Sequence, residues 1–189
     1  AKLRCRDGEY ACVVHDVSET GAKLRLFHAH PPEDHMYLEL ASGELYAMER
    51  RWIDGDFAGY RFSSAVETGV FLRESGALPR RPIRLRIAHP VRFAAAGEVG
   101  HAYTVNLSAH GACSEAGRQI PLGSALRLEI ADGPPRIASV CWREDFRHGL
   151  AFQQALRLDE LARLALALQP FDARPATAEA AVEAQALSA

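Results

Sequence analysis

The chain has 189 residues, of which 48% are hydrophobic and 24% are charged, and its formal net charge is −2. These values are typical of an ordinary globular protein, and a pI near 6.5 argues against a protein that coats nucleic acid. No apolar stretch reaches the roughly 18–20 residues that span a bilayer, and four cysteines without a CxxC pair favour reduced thiols in a cytoplasmic protein over a disulfide framework.

The first half of the chain contains short segments with the pattern of β-strands. “GELYAMERRWIDGDFAGYRF” at 43–62 predicts two strands around a turn. “SSAVETGVFLRESG” at 63–76 predicts a short helix that begins at Ser63 or Ser64 and ends at Gly76. “ALPRRP” at 77–82 interrupts both patterns, because its prolines and arginines fit neither, and we predict a domain boundary there.

The second half repeats this order of elements. “RLRIAHPVRFAAAG” at 84–97 and “EVGHAYTVNLS” at 98–108 are turn-bounded strands with partial alternation, and “SALRLEIADGPPRIASVCW” at 124–142 predicts a hairpin around Asp132-Gly133-Pro134. The leucines of “LRLDELARLALAL” at 156–168 recur at helical spacing and predict an amphipathic helix. The last segment, 173–189, has no aromatic residue and is predicted to be a flexible tail.

The two halves align when residue n is set against residue n + 90, without a gap. “DVSETGA” at 16–22 aligns with “NLSAHGA” at 106–112, and “LELASG” at 38–43 aligns with “LEIADG” at 128–133. The same offset aligns a third group of residues: Trp52 with Trp142, Gly59 with Gly149, and Phe62 with Phe152. Identities in three separate patches at one offset predict two copies of one module.

These patterns give a fold class and a domain division. We predict a mostly β protein with two small six-stranded β-barrels of Greek-key type, each followed by a helix. The first domain would span 1–76, the second would span 77–172 with the C-terminal helix, and the tail would follow. The chain opens with Ala1 rather than Met, inside a segment that already reads as a strand, so the N-terminal edge of the first domain is expected to be missing.

Four arginines fall within seven positions of “RRPIRLR” at 80–86: Arg80, Arg81, Arg84 and Arg86. Like charges at this density repel one another, so the segment is either a solvated surface strip or the binding site of an anion. The planar guanidinium fork binds phosphate or the O6/N7 edge of guanine with two hydrogen bonds, and its flat face stacks on a base.

A second polar motif follows about twenty residues later. Asn106 and Ser108 are two apart, so they project from the same face of a strand while Leu107 faces the core. Gly111 permits a tight turn or the close approach of backbone to a ligand. Neighbouring strands of a small barrel could bring this motif beside the arginines, and the combination suggests a small nucleotide with phosphates and purine faces as the ligand.

The order RxxxR, then [D/N]xSxxG, resembles the PilZ domain, the bacterial receptor module for cyclic di-guanylate (c-di-GMP). Arg80-Arg81-Pro82-Ile83-Arg84 supplies the first motif and Asn106-Leu107-Ser108-Ala109-His110-Gly111 the second. “SVCW”, “GLAF” and the helix after the barrel are also similar to the family. The resemblance covers nearly the whole chain as a tandem pair.

The resemblance implies a role for each matching residue of the second copy. Arg80 and Arg84 would hold phosphates and guanine edges, and Arg81 would assist them. The remaining residues would bind a guanine or leave room for it: Asn106, Ser108 and Gly111. Trp142 is a candidate for stacking on a base.

The first copy matches the pattern only in part. Asp16, Ser18 and Gly21 match the second motif, but the RxxxR positions fall upstream of Ala1. Either those arginines precede this sequence or the first copy lacks them, and ligand binding by the first copy stays open.

The implied function is that of a cytoplasmic, non-enzymatic signalling receptor or adaptor. Binding of c-di-GMP would order the arginine segment, change the arrangement of the two domains and signal to a downstream protein partner. No cofactor, metal, nucleic-acid partner or membrane insertion is expected. The alternative is a PilZ-like protein-interaction module that binds no nucleotide and docks through the first copy or the C-terminal helix.

Other side chains favour ordinary structural roles. A hydrolase triad of His15, Asp16 and Ser18 is not expected, because His15 and Asp16 are neighbours on a predicted strand and point to opposite faces. His28, His30 and His35 lie in a Pro- and acid-rich loop that we expect to be solvated surface rather than a metal site.

The two tryptophans occupy equivalent positions of the repeat. Trp52 and Trp142 are predicted to be core residues of the two barrels, with stacking on the ligand as a second reading for Trp142.

Overall fold

The computed structural model describes residues 1–6, 8–31, 33–72, 82–131 and 133–169. The protein is mostly β, as predicted. The first half contains β1 (Lys2–Cys5), β2 (Gly8–Ala11), β3 (Val13–Val17), β4 (Gly21–Arg25), β5 (His35–Glu39), β6 (Leu45–Asp54), β7 (Phe57–Phe62) and helix α1 (Thr68–Leu72). The second half contains β8 (Arg84–Ala95), β9 (Glu98–Ser108), β10 (Gly111–Ala116), β11 (Ala125–Glu129), β12 (Arg136–Glu144), β13 (Arg147–Phe152) and helix α2 (Leu158–Leu168).

The second half closes into a six-stranded antiparallel barrel. The strand order is β10-β13-β12-β11-β8-β9, and β9 pairs with β10 to close it. Because β11 lies beside β8 while β8, β9 and β10 follow one another, the connection is a Greek key. Its interior holds a continuous apolar core that includes Leu85, Phe93, Leu107, Leu128 and Leu150. The barrel and its Greek-key connection are confirmed for this half.

The first half is an open, curled sheet rather than the predicted closed barrel. Its strand order is β2-β1-β5-β6-β7-β4-β3. Strands β2 and β3 stand at opposite edges although Cys12 alone separates them in the chain, so the sheet must curl back on itself. In the second half, β9 is one continuous strand where the first half has β2 and β3, and its last residues pair with the start of β8. The residues of the first half that would align with the start of β8 fall before Ala1.

The sequence offset of 90 recurs in the positions of the strands. Strands β4 and β10 begin at Gly21 and Gly111, and β7 and β13 begin at Phe57 and Arg147. The two halves therefore use one order of strands, whereas their closure differs. That the first half is itself a second domain of the same family stays a prediction.

The two helices differ in length and in what they contact. Helix α1 covers only Thr68–Leu72 of the predicted 63–76. Residues 77–81 of the predicted boundary at 77–82 and the predicted tail at 173–189 lie outside the described residues. Helix α2 is the predicted amphipathic helix, and it buries Leu161 and Ala165 in the core of the barrel. Leu166 packs against the core of the first half, so α2 lies between the halves. Neither described helix is long and apolar enough to cross a membrane.

A buried ion pair in the first half forms hydrogen bonds with the second half. Lys2 and Glu9 are only 8% and 4% exposed, and Lys2 Nζ donates to Glu9 Oε2 at 2.8 Å. Lys2 Nζ also donates to the backbone oxygen of Arg84 at 2.9 Å. Glu9 accepts from the backbone N–H of Arg86 at 2.9 Å and from its Nε at 2.6 Å. Buried charges persist only when they are paired and hydrogen-bonded, and here the partners come from both halves.

Strand β2, which contains Glu9, also forms hydrogen bonds with the residue that follows α2. The backbone N–H of Glu9 donates to Gln169 Oε1 at 3.3 Å, and Gln169 Nε2 donates back to the Glu9 carbonyl at 3.3 Å. The Tyr10 hydroxyl donates to the Gln169 carbonyl at 2.9 Å. Strand β2 therefore contacts both the first strand and the last described helix of the second half.

Protonation of Glu9 is expected to weaken the contact between the halves. Burial alone would raise the pKa of Glu9, but hydrogen bonds from Lys2 and Arg86 outweigh it and hold the pKa below the ordinary value of 4.5. A lowered pKa contributes stability that is present above 4.5 and is lost as the pH falls through the folded-state value. The difference in melting temperature between wild type and Glu9→Gln should therefore shrink as the pH falls from about 6 to about 3.

The control for this measurement is Glu98→Gln, since the Glu98 side chain is 71% exposed in a surface pair with Arg118. Its melting temperature should follow that of wild type at every pH. A difference in melting temperature between wild type and Glu9→Gln that stays constant with pH would contradict the lowered pKa of Glu9.

Candidate functional site

An open groove of about 180 Å³ lies on the outside of the barrel, across β8, β9, β10, β13 and β12. Its lining includes four of the residues predicted to bind ligand, together with Trp142: Arg84, Asn106, Ser108 and Gly111. The other two predicted residues, Arg80 and Arg81, lie outside the described residues. The groove is thus built from segments that are far apart in the chain.

Strand register places the site residues in two neighbouring rows. In the first row, Arg84 lies opposite Ser108, Ser108 opposite Gly111, and Gly111 opposite Ala151. Residues directly opposite in antiparallel strands have their Cβ atoms about 4.5–5.5 Å apart, so their side chains share one surface. The arginine of the first motif and the serine of the second are therefore direct neighbours.

The second row starts at Arg86 rather than at an arginine of the RxxxR motif. Arg86 lies opposite Asn106, Asn106 opposite Cys113, Cys113 opposite Gly149, and Gly149 opposite Trp142. Asn106 is therefore flanked by a guanidinium side chain on one strand and a thiol on the other.

A β-bulge at Val105 turns Asn106 towards the groove. Asn106 pairs with Cys113 but Thr104 pairs with Ser114, so Val105 is an extra residue in β9. Thr104 and Leu107 are both buried, which strict alternation would not allow, and Asn106 is half-buried on the groove side. A bulge shifts the alternation by one residue, and it is a common device beside functional sites.

The turn between β9 and β10 is held by hydrogen bonds on each side. The Ser108 hydroxyl donates to the Gly111 carbonyl at 3.1 Å, so its proton is used within the turn and its oxygen can still accept. The backbone N–H groups of Phe152 and Leu156 donate to the carbonyls of the two residues inside the turn, at 2.9 and 2.7 Å. The turn is therefore fixed to the segment that leads into α2.

The groove is cationic in character. Its lining contains no Asp or Glu, and the Arg84 side chain has no ion-pair partner among the described residues. Burial raises the pKa of the Cys113 thiol, and the charges of Arg147 and Arg84 oppose this without reversing it. The thiol is therefore protonated at neutral pH. An anionic ligand would meet an unpaired guanidinium beside neutral polar groups.

Trp142 lies on the surface, so the prediction that the two tryptophans are core residues is wrong. Trp142 is 39% exposed and Trp52 is 45% exposed. A Cβ at Gly149 would lie 1.9 Å from Trp142 Nε1, and a Cβ at Gly59 would lie 2.1 Å from Trp52 Nε1. Each indole occupies the space that a side chain would take, and it rests on the outer surface of its sheet. Beside the groove, the Trp142 ring forms a platform.

The first half forms the same turn in an incomplete setting. The Ser18 hydroxyl donates to the Gly21 carbonyl at 3.3 Å, and a Cβ at Gly21 would lie 2.3 Å from the Tyr60 carbonyl oxygen. Asp16 is exposed, and it accepts from the backbone N–H of Val17 at 2.9 Å. Strand β3 is a sheet edge, so no described strand pairs with it on the side that β8 occupies in the barrel.

Lys23 takes the position of Cys113 in the first half. It lies opposite both Asp16 and Gly59. Its ammonium group lies 5.9 Å from the centre of the Trp52 ring and 4.5 Å from the centre of the Phe57 ring. The indole platform of the first half is thus already engaged by a cation.

The histidine loop is less exposed than predicted. His28 and His30 are half-buried while His35 is exposed, and the His28 ring lies 5.3 Å from the ring of Tyr10. Burial holds the pKa of His28 below its usual value. Within the described ranges, no group of three or more His, Cys, Asp or Glu side chains is arranged to hold a metal ion.

The groove is also lined by residues to which the sequence analysis assigned no role. Pro82 and His110, which are intervening residues of the two motifs, line the groove, and so do Cys113 and Cys141, which lie outside the motifs; none of the four had been assigned a role. Gly149 could have been found, because its pairing with Trp142 repeats in Gly59 and Trp52 at the same offset of 90.

The residues of the barrel match a known family model. The family model described as “PilZ domain” matches residues 79–168. The Borreliella burgdorferi PlzA protein, in a crystal structure with c-di-GMP, is 10% identical with a TM-score of 0.36, and the match covers 87% of this chain and 84% of that one. K. pneumonia MrkH in its apo state is 14% identical with a TM-score of 0.37, over 98% of this chain and 87% of that one. YcgR from Escherichia coli in complex with c-di-GMP is 10% identical with a TM-score of 0.32, over 99% of this chain and 84% of that one. No curated protein matches the chain.

The close approach at Gly111 predicts a strong effect of a single methyl group. In Gly111→Ala the Cβ would lie 1.9 Å from the Leu150 carbonyl oxygen, so β10 and β13 must separate where they form the groove. We expect the free energy of unfolding to fall by about 1–3 kcal/mol, measured by urea denaturation. Gly117→Ala is the matched control, because nothing lies within 4 Å of its added Cβ, and it should change stability by less than about 0.5 kcal/mol. Equal effects of the two substitutions would contradict the packing argument.

Proposed function

We propose that the chain, whose residues 79–168 match the PilZ domain family model, is a receptor for c-di-GMP that binds the ligand in the groove of the barrel. The observation that carries the proposal is the strand register, in which Arg84 lies opposite Ser108 and next to the row of Asn106. Arg84 of the first motif and the residues of the second motif thereby share one surface. The proposed ligand-binding domain spans 77–172.

The roles of the residues follow from their chemistry. Arg84 presents an exposed guanidinium that can bind a phosphate or a guanine edge through two hydrogen bonds. The Asn106 amide offers a donor and an acceptor for a guanine edge, and the Ser108 oxygen can accept a hydrogen bond. Arg80 and Arg81 would complete the clamp from the segment that precedes β8. Gly111 would leave room for the ligand beside the turn.

The Trp142 platform supports placing a purine at the far end of the groove. The indole is exposed, lies against Gly149 and lines the same groove as Asn106 and Ser108. Stacking of a base on an aromatic ring contributes about 1–3 kcal/mol. In the first half, Lys23 lies near the equivalent Trp52 ring, and among the described residues β3 pairs with β4 alone, which supports the second half as the site of binding.

Ligand binding is further proposed to change the arrangement of the two halves. The arginine segment enters β8 at the point where Lys2 of the first half contacts the Arg84 carbonyl. A ligand shifts such an equilibrium only as far as its affinity differs between the two arrangements. The proposed output is a signal to a downstream protein partner, without catalysis by this chain.

The test is isothermal titration calorimetry of c-di-GMP with the full chain. Arg84→Ala should weaken binding by about 10–100-fold, since a charge-assisted hydrogen bond contributes about 1.5–3 kcal/mol. Arg92→Ala is the matched control, because Arg92 lies on the same strand in a surface ion pair with Glu129 at 3.5 Å, and its affinity should equal that of wild type. No binding by wild type would favour the interaction module that binds no nucleotide. Unchanged affinity in Arg84→Ala would remove the arginine from the site.

The two tryptophans allow a second test. Trp142→Ala should lower the affinity for c-di-GMP by at least about tenfold if the indole stacks on a guanine. Trp52→Ala removes the equivalent indole from the first half and should leave the affinity unchanged. Equal losses in both variants would indicate a general effect on folding, and no loss in Trp142→Ala would exclude stacking.

A further inference from the structure

The start of β8 has one edge with which no described strand pairs. Arg84 and Arg86 pair with Ser108 and Asn106 of β9 on one side. On the other side, β11 pairs with β8 only along 92–95, well beyond these residues. Backbone N–H and C=O groups on a buried edge need hydrogen-bond partners, because leaving them without partners costs stability.

Two charged side chains of the first half take the place of the missing strand. Lys2 Nζ donates to the carbonyl of Arg84 at 2.9 Å, and Glu9 Oε2 accepts from the N–H of Arg86 at 2.9 Å. In an antiparallel ladder, the C=O of one residue and the N–H of the residue two further on point to the same edge. Lys2 and Glu9 therefore bond to the groups that a neighbouring strand would bond.

Glu9 also fixes the side chain next to Asn106. Its Oε1 accepts from Arg86 Nε at 2.6 Å, and Arg86 lies opposite Asn106 in the second row of the groove. The carboxylate is 4% exposed and is surrounded by the cations Lys2, Arg4 and Arg86. Glu39 belongs to the same cluster, because it pairs with Lys2 at 3.2 Å and with Arg4 at 3.3 Å, but its ion pairs remain within the first half.

The part of β8 that Lys2 and Glu9 hold also lines the groove. Arg84 and Pro82 line both the 180 Å³ groove of the barrel and a second groove of about 310 Å³, which Lys2 and residues 41–43 of the first half also line. A shift at the start of β8 would therefore move the Arg84 side chain relative to Ser108 and change both grooves.

We propose that Glu9 is a positioning residue for the ligand groove, and that the first half sets the affinity of the second half for c-di-GMP by holding the backbone of β8 at Arg84 and Arg86. This inference rests on the proposed function of the groove. It assigns the first half a role that needs no ligand of its own. Because binding free energies are reciprocal, the bound ligand should in turn protect the Glu9–Arg86 contact.

The experiment compares Glu9→Gln with Glu39→Gln in the full chain. Both substitutions remove one carboxylate from the same cluster, but only Glu9 contacts β8. Calorimetric titration with c-di-GMP should give a loss of about tenfold or more in affinity for Glu9→Gln and less than about twofold for Glu39→Gln. Glu9→Asp keeps the charge with a shorter reach and should recover part of the affinity.

Amide hydrogen exchange separates positioning from general destabilisation. In the ligand-free protein, exchange of the Arg86 N–H should be faster in Glu9→Gln than in Glu39→Gln, and a saturating concentration of c-di-GMP should slow it in both. If Glu9→Gln does not fold, Glu9→Asp carries the test with a smaller loss of affinity. Equal affinities of the Glu9 and Glu39 variants in the presence of normal wild-type binding would overturn this inference alone. No binding by wild type would overturn the proposed function and this inference with it.

Discussion

Backbone pairing between β8 and β9 is the interaction on which the candidate site depends. Arg84 and Asn106 are 22 positions apart in sequence, yet the ladder sets them in neighbouring rows of one surface. The ladder is also part of the closed barrel, so one set of hydrogen bonds contributes both to the fold of the second half and to the geometry of its groove. A site built on paired strands is held more rigidly than one built on loops, because each side chain is positioned by its register.

The described residues of the first half show no such pairing, and their sheet is open where the barrel of the second half is closed. Its turn repeats the second half down to the hydrogen bond from Ser18 to the Gly21 carbonyl. Among the described residues, however, β3 pairs only with β4, so the sheet is open and its polar motif lies on an edge. The charged residues Lys2 and Glu9 then face the second half, where a strand would otherwise continue. Two halves with similar sequence patterns thus contact each other through residues that have no equivalent contact within the barrel of the second half.

Much of this arrangement is predictable from the sequence, and the unpredicted parts have physical causes. The offset of 90, the hairpin before Trp142 and the leucine spacing of α2 predict the strands and the helix. The closed barrel of the second half follows from them. Periodicity cannot reveal the bulge at Val105, because one inserted residue reverses the alternation locally. It also cannot place Trp142 outside the barrel, because a large apolar residue on a strand favours a core position unless the facing Gly149 is recognised.

The buried pair was the hardest feature to predict, since nothing in the segment around Glu9 distinguishes it from a surface strand residue. Its burial depends on three elements that meet only in the folded chain: β1, the start of β8 and the end of α2 at Gln169. A carboxylate removed from water must be compensated fully, and the backbone of Arg86 supplies part of that compensation. The stability of the contact between the halves and the position of the ligand-facing strand are therefore set by the same hydrogen bonds. A substitution that disrupts these hydrogen bonds should therefore alter both the stability of the contact and the position of the start of β8.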